Sequence, residues 1–220
     1  MPQANYSPKT DALHNLKREM EEDKSLPLLE SNLVFGEGNP DTDVLFIGEA
    51  PGYHENMQGR PFVGQAGKLL DAMILGLGWK REDIYITNIV KRRPPENRDP
   101  LPEEIAAYSP YLMKQLEIIN PKIIAPLGRF SMNFFLPDAK ISLAQGKIFW
   151  WKDRLLMPLY HPAAALRATA VKDALKVSFA KLPVVKKKYE EFVRDRKSGK
   201  PEHTPKPDPA PNPKKQAELF

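Results

Sequence analysis

The chain alternates short, almost wholly apolar runs with longer segments whose apolar residues recur every three or four positions. Val44-Leu45-Phe46-Ile47 is the first run, and similar ones stand at Ile84 to Val90, Ile123 to Leu127 and Leu155 to Leu159. Runs this short, apolar on both faces, read as core strands. Between them Lys68 to Leu75, closed by Gly76 and Gly78, reads as a helix that Gly67 opens. Glu103 to Ile119, with Leu112, Leu116 and Ile119 on one face, and Phe130 to Phe135 read as two more. Met1 to Pro8 reads as a frayed end, with Thr10 or Asp11 capping a helix that carries Leu13, Leu16 and Met20. Val34 to Pro40 reads as a loop. After Thr169 come one or two helices divided by Pro183, with Val185, Tyr189, Phe192 and Val193 on one side. Strands alternating with helices predict parallel pairing, hence an α/β fold: a three-layer α/β/α sandwich with a short, mainly parallel central sheet.

From Lys197 the character changes. Pro201, Pro205, Pro207, Pro209, Pro211 and Pro213 alternate with Lys, Asp and Asn. Such a segment buries too little apolar area to offset its ordering entropy, so residues 197–215 are expected to be a disordered linker after a domain spanning residues 1–196. The chain turns apolar again in its last five residues, Gln216-Ala217-Glu218-Leu219-Phe220.

Composition narrows the chemistry. A hydrophobic content of 41% supports a core, and no run approaches the roughly 18 apolar residues of a membrane span. Without a leader-like N-terminus, a cytoplasmic protein is the default expectation. The sequence has no cysteine, which excludes disulfides, thiolate catalysis and every Cys-ligated metal site. The net charge is +5, and the segment from Leu182 onward holds ten Lys/Arg against six Asp/Glu. The folded part is therefore nearly neutral, and any affinity for a polyanion has to come from local patches.

Candidate chemistry concentrates in Gly48 to Leu70, GEAPGYHENMQGRPFVGQAGKLL. A carboxylate, a turn shaped by Gly48, Pro51 and Gly52, and an aromatic, Phe62, held between Gly59 and Gly64 all follow the first strand. The carboxyl end of a parallel strand is where α/β proteins place ligands. Phe62 is well placed to stack on a flat ligand. On spacing alone it reads equally well as a core residue in an ordinary strand, loop and helix.

Three separated blocks resemble the uracil-DNA glycosylase superfamily, specifically its iron–sulfur type, family 4. They are GEAPG with GRPFVGQAGKLL, then Thr87-Asn88-Ile89-Val90-Lys91-Arg92-Arg93-Pro94-Pro95-Glu96-Asn97-Arg98-Asp99-Pro100, then His161-Pro162-Ala163. In that order they span roughly Val34 to Arg167. The resemblance implies an enzyme that flips uracil out of DNA, hydrolyses its bond to deoxyribose and leaves an abasic site. Phe62 would stack on the extruded base. Asn88 would donate to uracil O4 and accept from N3–H, and His161 would donate to O2 as the anion develops. Glu49 would orient the attacking water or stabilise the cationic sugar. Gly48, Ala50 and Gly52 would shape the pocket, Tyr53 would limit access near C5, and Asn97 would contribute to the pocket or to DNA binding. Lys91, Arg92, Arg93 and Arg98 would meet phosphates. Leu166 would wedge into the emptied stack, with Arg167 beside it. Each has a structural reading as well: a core aromatic, a turn Asn, a capping His, a solvated charge cluster.

The sequence departs from that family at the cluster. Family-4 enzymes hold a [4Fe–4S] cluster on four cysteines, and the matching positions here are Glu21, Lys24, Arg92 and Tyr108. None ligates iron as a thiolate does, so no cofactor is expected. Arg92 and Tyr108 are expected to reach toward Glu21 and the first helix, replacing the cluster with a salt bridge and packing. Three alternatives compete with a uracil-specific enzyme. One is altered base scope, toward hypoxanthine, xanthine or a modified uracil. Another is an inactive DNA-binding descendant. The third is the branch that traps DNA through a histidine in an inserted KRRIH loop, which Pro94 directly after Arg93 argues against. The partner expected is uracil-containing DNA, engaged by a monomer, nucleoid-associated in a prokaryote. The pentapeptide carrying Gln216, Leu219 and Phe220 resembles the motif by which bacterial repair proteins bind the sliding clamp.

Overall fold

Ser7 opens the part of the chain that the computed structural model describes, residues 7–198. Its side chain accepts from the Thr10 N–H and caps α1 (Pro8–Glu22), with Pro8 in the first turn. The cap therefore lies ahead of Thr10 and Asp11. Proline needs no N–H there, so the helix starts as early as Ser7 allows.

Six strands form one sheet: β1 (Glu37–Gly38), β2 (Val44–Gly48), β3 (Tyr85–Asn88), β4 (Ile123–Pro126), β5 (Phe149–Trp151) and β6 (Arg154–Leu156), in the order β1-β3-β2-β4-β6-β5. The four central strands are parallel, and β1 and β5 pair antiparallel at the two edges. Neither edge strand follows from the hydrophobic pattern. β1 is two residues long, inside what reads as a loop. β5 closes a hairpin on β6 through Lys152, which takes φ 53°.

Helices α2 (Tyr53–Gln58), α3 (Gln65–Gly76), α4 (Pro102–Ile119), α5 (Arg129–Phe135), α6 (Ile141–Ala144), α7 (Pro162–Ala165), α8 (Thr169–Phe179), α9 (Leu182–Lys187) and α10 (Tyr189–Lys197) complete the described chain. Successive β2 residues point to opposite faces. Leu45 and Ile47 pack with α1, α4 and α5, while Val44 and Phe46 pack with α3, α8 and α9. This period of two under two helical layers is the α/β/α sandwich. α3 starts at Gln65, so Gly67 lies inside the helix and does not open it. A Cβ there would meet the Phe62 backbone, with Phe62 Cα only 2.9 Å away. Glycine at this position lets the Phe62 loop lie on the helix.

α10 runs through Lys197 with Ser198 as its cap. The rest of the expected linker and the terminal pentapeptide lie outside the described residues. Among those described, no helix is long and apolar enough to cross a membrane.

Candidate active site

Because β2, β3 and β4 are parallel, their carboxyl ends meet at one edge of the sheet. Glu49 follows β2, Asn88 ends β3 and Gly128-Arg129 follows β4. Leu159 bridges to Leu127 and delivers His161 to the same edge. Glu49, Asn88, Gly128, Arg129 and His161 line a cavity of about 610 Å³ together with Ala50, Gly52, Phe62, Asn97, Asp99 and Arg167.

Phe62 is buried at φ 51°. Its loop is held from two sides. Glu55 Oε1 accepts from the N–H groups of Val63 (2.9 Å) and Gly64 (2.8 Å). Arg81 donates to the carbonyls of Pro61 and Phe62 and pairs with Glu37 (2.8 Å) and Asp71 (2.5 Å). Burial pushes the Glu37 carboxyl up, but hydrogen bonds from Arg60 and Arg81 outweigh it and hold the group below its ordinary value. These contacts offset the cost of a left-handed aromatic residue.

Asn88 is buried, and its Oδ1 has no hydrogen-bond partner among the described residues. A buried carboxamide oxygen left unpaired is costly; it lies against Gly48, while Asn88 as a residue lines the cavity. The Phe62 and His161 ring centroids lie 5.6 Å apart at 30°. His161 caps α7, its Nδ1 accepting from the Ala163 N–H at 3.1 Å. Burial pulls its pKa down to about 4, against the opposing charge of Glu55. The imidazole is thus neutral at physiological pH. With Nδ1 occupied as an acceptor, its proton sits on Nε2, available for donation.

Glu49 has its pKa raised to about 7 by burial and by the charge of Asp99, with Arg129 acting the other way. Asp99 and Arg129 pair at 2.7 Å, and the Arg129 guanidinium lies 4.1 Å from the Phe130 ring centroid. Neither Asp99 nor Arg129 stood out in the sequence. The available signal was positional, since Gly128, with φ 91°, turns the chain at the end of a core strand.

Several expected roles need correction. Lys91 is fully buried and does not face DNA; its Nζ donates to Thr87, Asn88 and Gln115. Arg92 is also buried, donating to the Ser31 carbonyl. Arg98 lines the cavity, but its guanidinium is bidentate to Glu104 (2.6 and 2.9 Å), which also accepts from the Leu101 N–H at the start of α4. Arg93 donates to Asn97 Oδ1 (2.7 Å) and lies 5.4 Å over the Tyr53 ring. Tyr53 opens α2 behind Gly52 and is 54% exposed, outside the cavity lining. Gly48 lies under the cavity wall and Leu166 stands exposed beside Arg167.

The four positions matching cluster cysteines do not suit a metal. Tyr108 is fully buried, with its hydroxyl donating to the Pro27 carbonyl at 2.7 Å. Arg92 reaches the neighbouring Ser31 carbonyl. Glu21 is exposed and pairs with Lys17, so the expected Arg92–Glu21 salt bridge is absent among the described residues. Arg92 and Tyr108 tie instead to backbone carbonyls of the loop after α1. No cluster of His, Asp or Glu among the described residues is arranged to hold a metal ion.

The family model described as "Uracil DNA glycosylase superfamily" matches residues 35–182. The "Type-4 uracil-DNA glycosylase" of Sulfurisphaera tokodaii is 43% identical over 194 residues, covering 81% of this chain and 88% of that protein. The protein of the same description from Archaeoglobus fulgidus is 44% identical, covering 69% of this chain and 81% of its own length. That from Thermotoga maritima is 46% identical, covering 64% and 76%.

Proposed function

The chain belongs to the uracil DNA glycosylase superfamily, and from that premise we propose that it removes uracil from DNA by hydrolysing the N-glycosidic bond, leaving an abasic site. The observation that carries this reading is one cavity, at the carboxyl ends of the parallel strands, lined together by Phe62, Asn88 and a neutral His161.

In this reading uracil leaves the duplex and stacks on Phe62. Asn88 Oδ1 accepts from N3–H while Nδ2 donates to O4, a pattern that cytosine inverts. The C1′–N1 bond breaks with both electrons passing to N1, and the charge spreads onto O2, where the Nε2–H of His161 meets it. A neutral donor suits this step, since it stabilises the anion without first giving up a proton. Water adds to C1′ on the face served by ionised Glu49 and loses a proton, while the uracil anion gains one from solvent. Arg93, Arg129 and Arg167 contact phosphates, and exposed Leu166 fills the gap left in the stack.

The reading extends to the terminal pentapeptide, which engages a sliding clamp through Gln216, Leu219 and Phe220. Removing residues 216–220 then abolishes clamp binding in calorimetry and leaves glycosylase activity on short oligonucleotides intact; full-length protein that fails to bind a bacterial clamp refutes this part. The central test uses single- and double-stranded oligonucleotides bearing U:G, U:A, T:G or hypoxanthine, followed by alkaline cleavage. Cleavage at uracil and not at thymine is expected. No release from any uracil substrate overturns the proposal, and release from hypoxanthine alone favours the altered-scope alternative.

A further inference from the structure

Lys91 is the one fully buried lysine among the described residues. Its Nζ donates to Thr87 Oγ1 (2.6 Å), the Asn88 carbonyl (2.6 Å) and Gln115 Oε1 (2.5 Å). Each acceptor is committed to that role. The Thr87 hydroxyl spends its own proton on the Phe35 carbonyl (2.8 Å), and Gln115 Nε2 donates to the same carbonyl (3.0 Å), which orients its oxygen toward Lys91. Three fixed acceptors match the three N–H groups of an ammonium, whereas a neutral amine has only two and turns its lone pair on the third oxygen. Burial draws the lysine's pKa well down, and the acceptor set opposes that pull. No Asp or Glu among the described residues forms an ion pair with it.

The peptide group after Asn88 is pinned at both ends, its carbonyl by Lys91 and its N–H, that of Ile89, by the Gly48 carbonyl at 3.0 Å. Asn88 thus presents its main chain to the buried Lys91 Nζ, while the residue lines the cavity. We infer that Lys91 is a positioning residue for base release, fixing Asn88 against the base edge and supplying, through it, an uncompensated positive charge that favours departure of the uracil anion. This inference rests on the glycosylase reading. A positive charge in a low-dielectric interior acts on an anion over a longer range than a hydrogen bond does, and it acts most when the leaving group carries most charge.

The test compares full-length protein on oligonucleotides containing deoxyuridine or 5-fluorodeoxyuridine. Fluorine is scarcely larger than hydrogen but makes the base a better leaving group that needs less help. Lys91→Met is expected to lower kcat for uracil about tenfold and for 5-fluorouracil about threefold or less, with KM little changed, an indirect charge costing less than a lost direct donor. Equal slowing of both bases means a purely structural role and overturns the inference, as does no slowing. Where Lys91→Met fails to fold, Gln115→Glu sets a carboxylate against the ammonium and is expected to give the same base-selective loss. Gln115→Met, which removes the contact without adding charge, slows both bases alike; a selective loss there also overturns the inference. Wild-type protein that releases neither base refutes the glycosylase reading itself, a separate outcome.

Discussion

Gly48 and Asn88 face each other in the parallel register of β2 and β3, and the carboxamide of Asn88 occupies the space that a side chain on Gly48 would fill. A Cβ at Gly48 would also lie 2.6 Å from Phe62 Cε2. One missing methyl therefore makes room for both the base-reading amide and the stacking ring. Gly48→Ala is expected to displace both, lowering turnover by about 10²-fold if the amide donor is lost and destabilising the fold by about 1–3 kcal/mol from overpacking. Single-turnover kinetics with thermal melts checks this; a near-wild-type rate contradicts the assigned wall.

Asn88→Asp replaces the donor that faces O4 with an acceptor, so it is expected to favour the exocyclic amine of cytosine over uracil. Asn88→Ala and His161→Ala each remove a contact to the departing base, and turnover should fall roughly 10²–10³-fold in each. Phe62→Ala loses about 1–3 kcal/mol of stacking. Competition between uracil- and cytosine-containing strands separates altered preference from simple weakening.

Activity should rise with pH as Glu49 ionises near 7, and His161, with a pKa near 4, should leave that rise undisturbed. Glu49→Gln should flatten the profile at a low rate. The sign for stability is opposite. The folded pKa of Glu49 is raised above the unfolded value, so its contribution is fully present below about 4.5 and is lost as pH rises through about 7. Glu49→Gln is thus expected to be more stable than the parent at pH 8. Discounted for solvent in the open cavity, the gain is about 1–3 kcal/mol. Denaturant titrations at pH 5 and pH 8 check it.

Much of this arrangement was legible in the sequence. The four central strands announce themselves because residues buried on both faces leave unbroken apolar runs, and Phe62, Asn88 and His161 stand out through motifs. The fate of the basic block did not. Lys91, Arg92, Arg93 and Arg98 read as one charged loop, yet Lys91 and Arg92 are buried on the distant acceptors Gln115 and Ser31, and Arg98 is paired with Glu104. Edge strand β1 was invisible because a two-residue strand has no periodicity. The Ser7 cap was missed because Pro8 reads as a break when it is in fact a first-turn residue.

Tyr108 and Arg92 occupy cluster-ligand positions and bind loop carbonyls, which makes them a structural tie that needs no metal. Tyr108→Phe removes the 2.7 Å bond to Pro27 and leaves a partly buried carbonyl short of a donor, costing about 1–2 kcal/mol. Arg92→Ala costs more, since it also opens a cavity. Both should melt several degrees below the parent while keeping uracil excision at temperatures where they remain folded. A parent-like melting temperature for Arg92→Ala refutes the tie.

Phosphate contacts should be found among the cavity-lining arginines without a buried ion-pair partner, not throughout the basic block. Each lost phosphate contact lowers the salt dependence of DNA affinity by about one unit of slope. Arg129→Ala and Arg167→Ala should each do so, because both line the cavity and the ion-pair partner of Arg129, Asp99, is itself exposed. Arg98→Ala should leave the slope unchanged and cost stability instead, since its guanidinium is held by Glu104. Arg129 carries a second signature. Its charge opposes that of Asp99 beside Glu49, so Arg129→Ala should move the rise in activity to higher pH, while Arg167→Ala should leave it in place. A slope change without that shift in Arg129→Ala would separate DNA binding from the titration of Glu49 and leave burial and Asp99 as what raises its pKa.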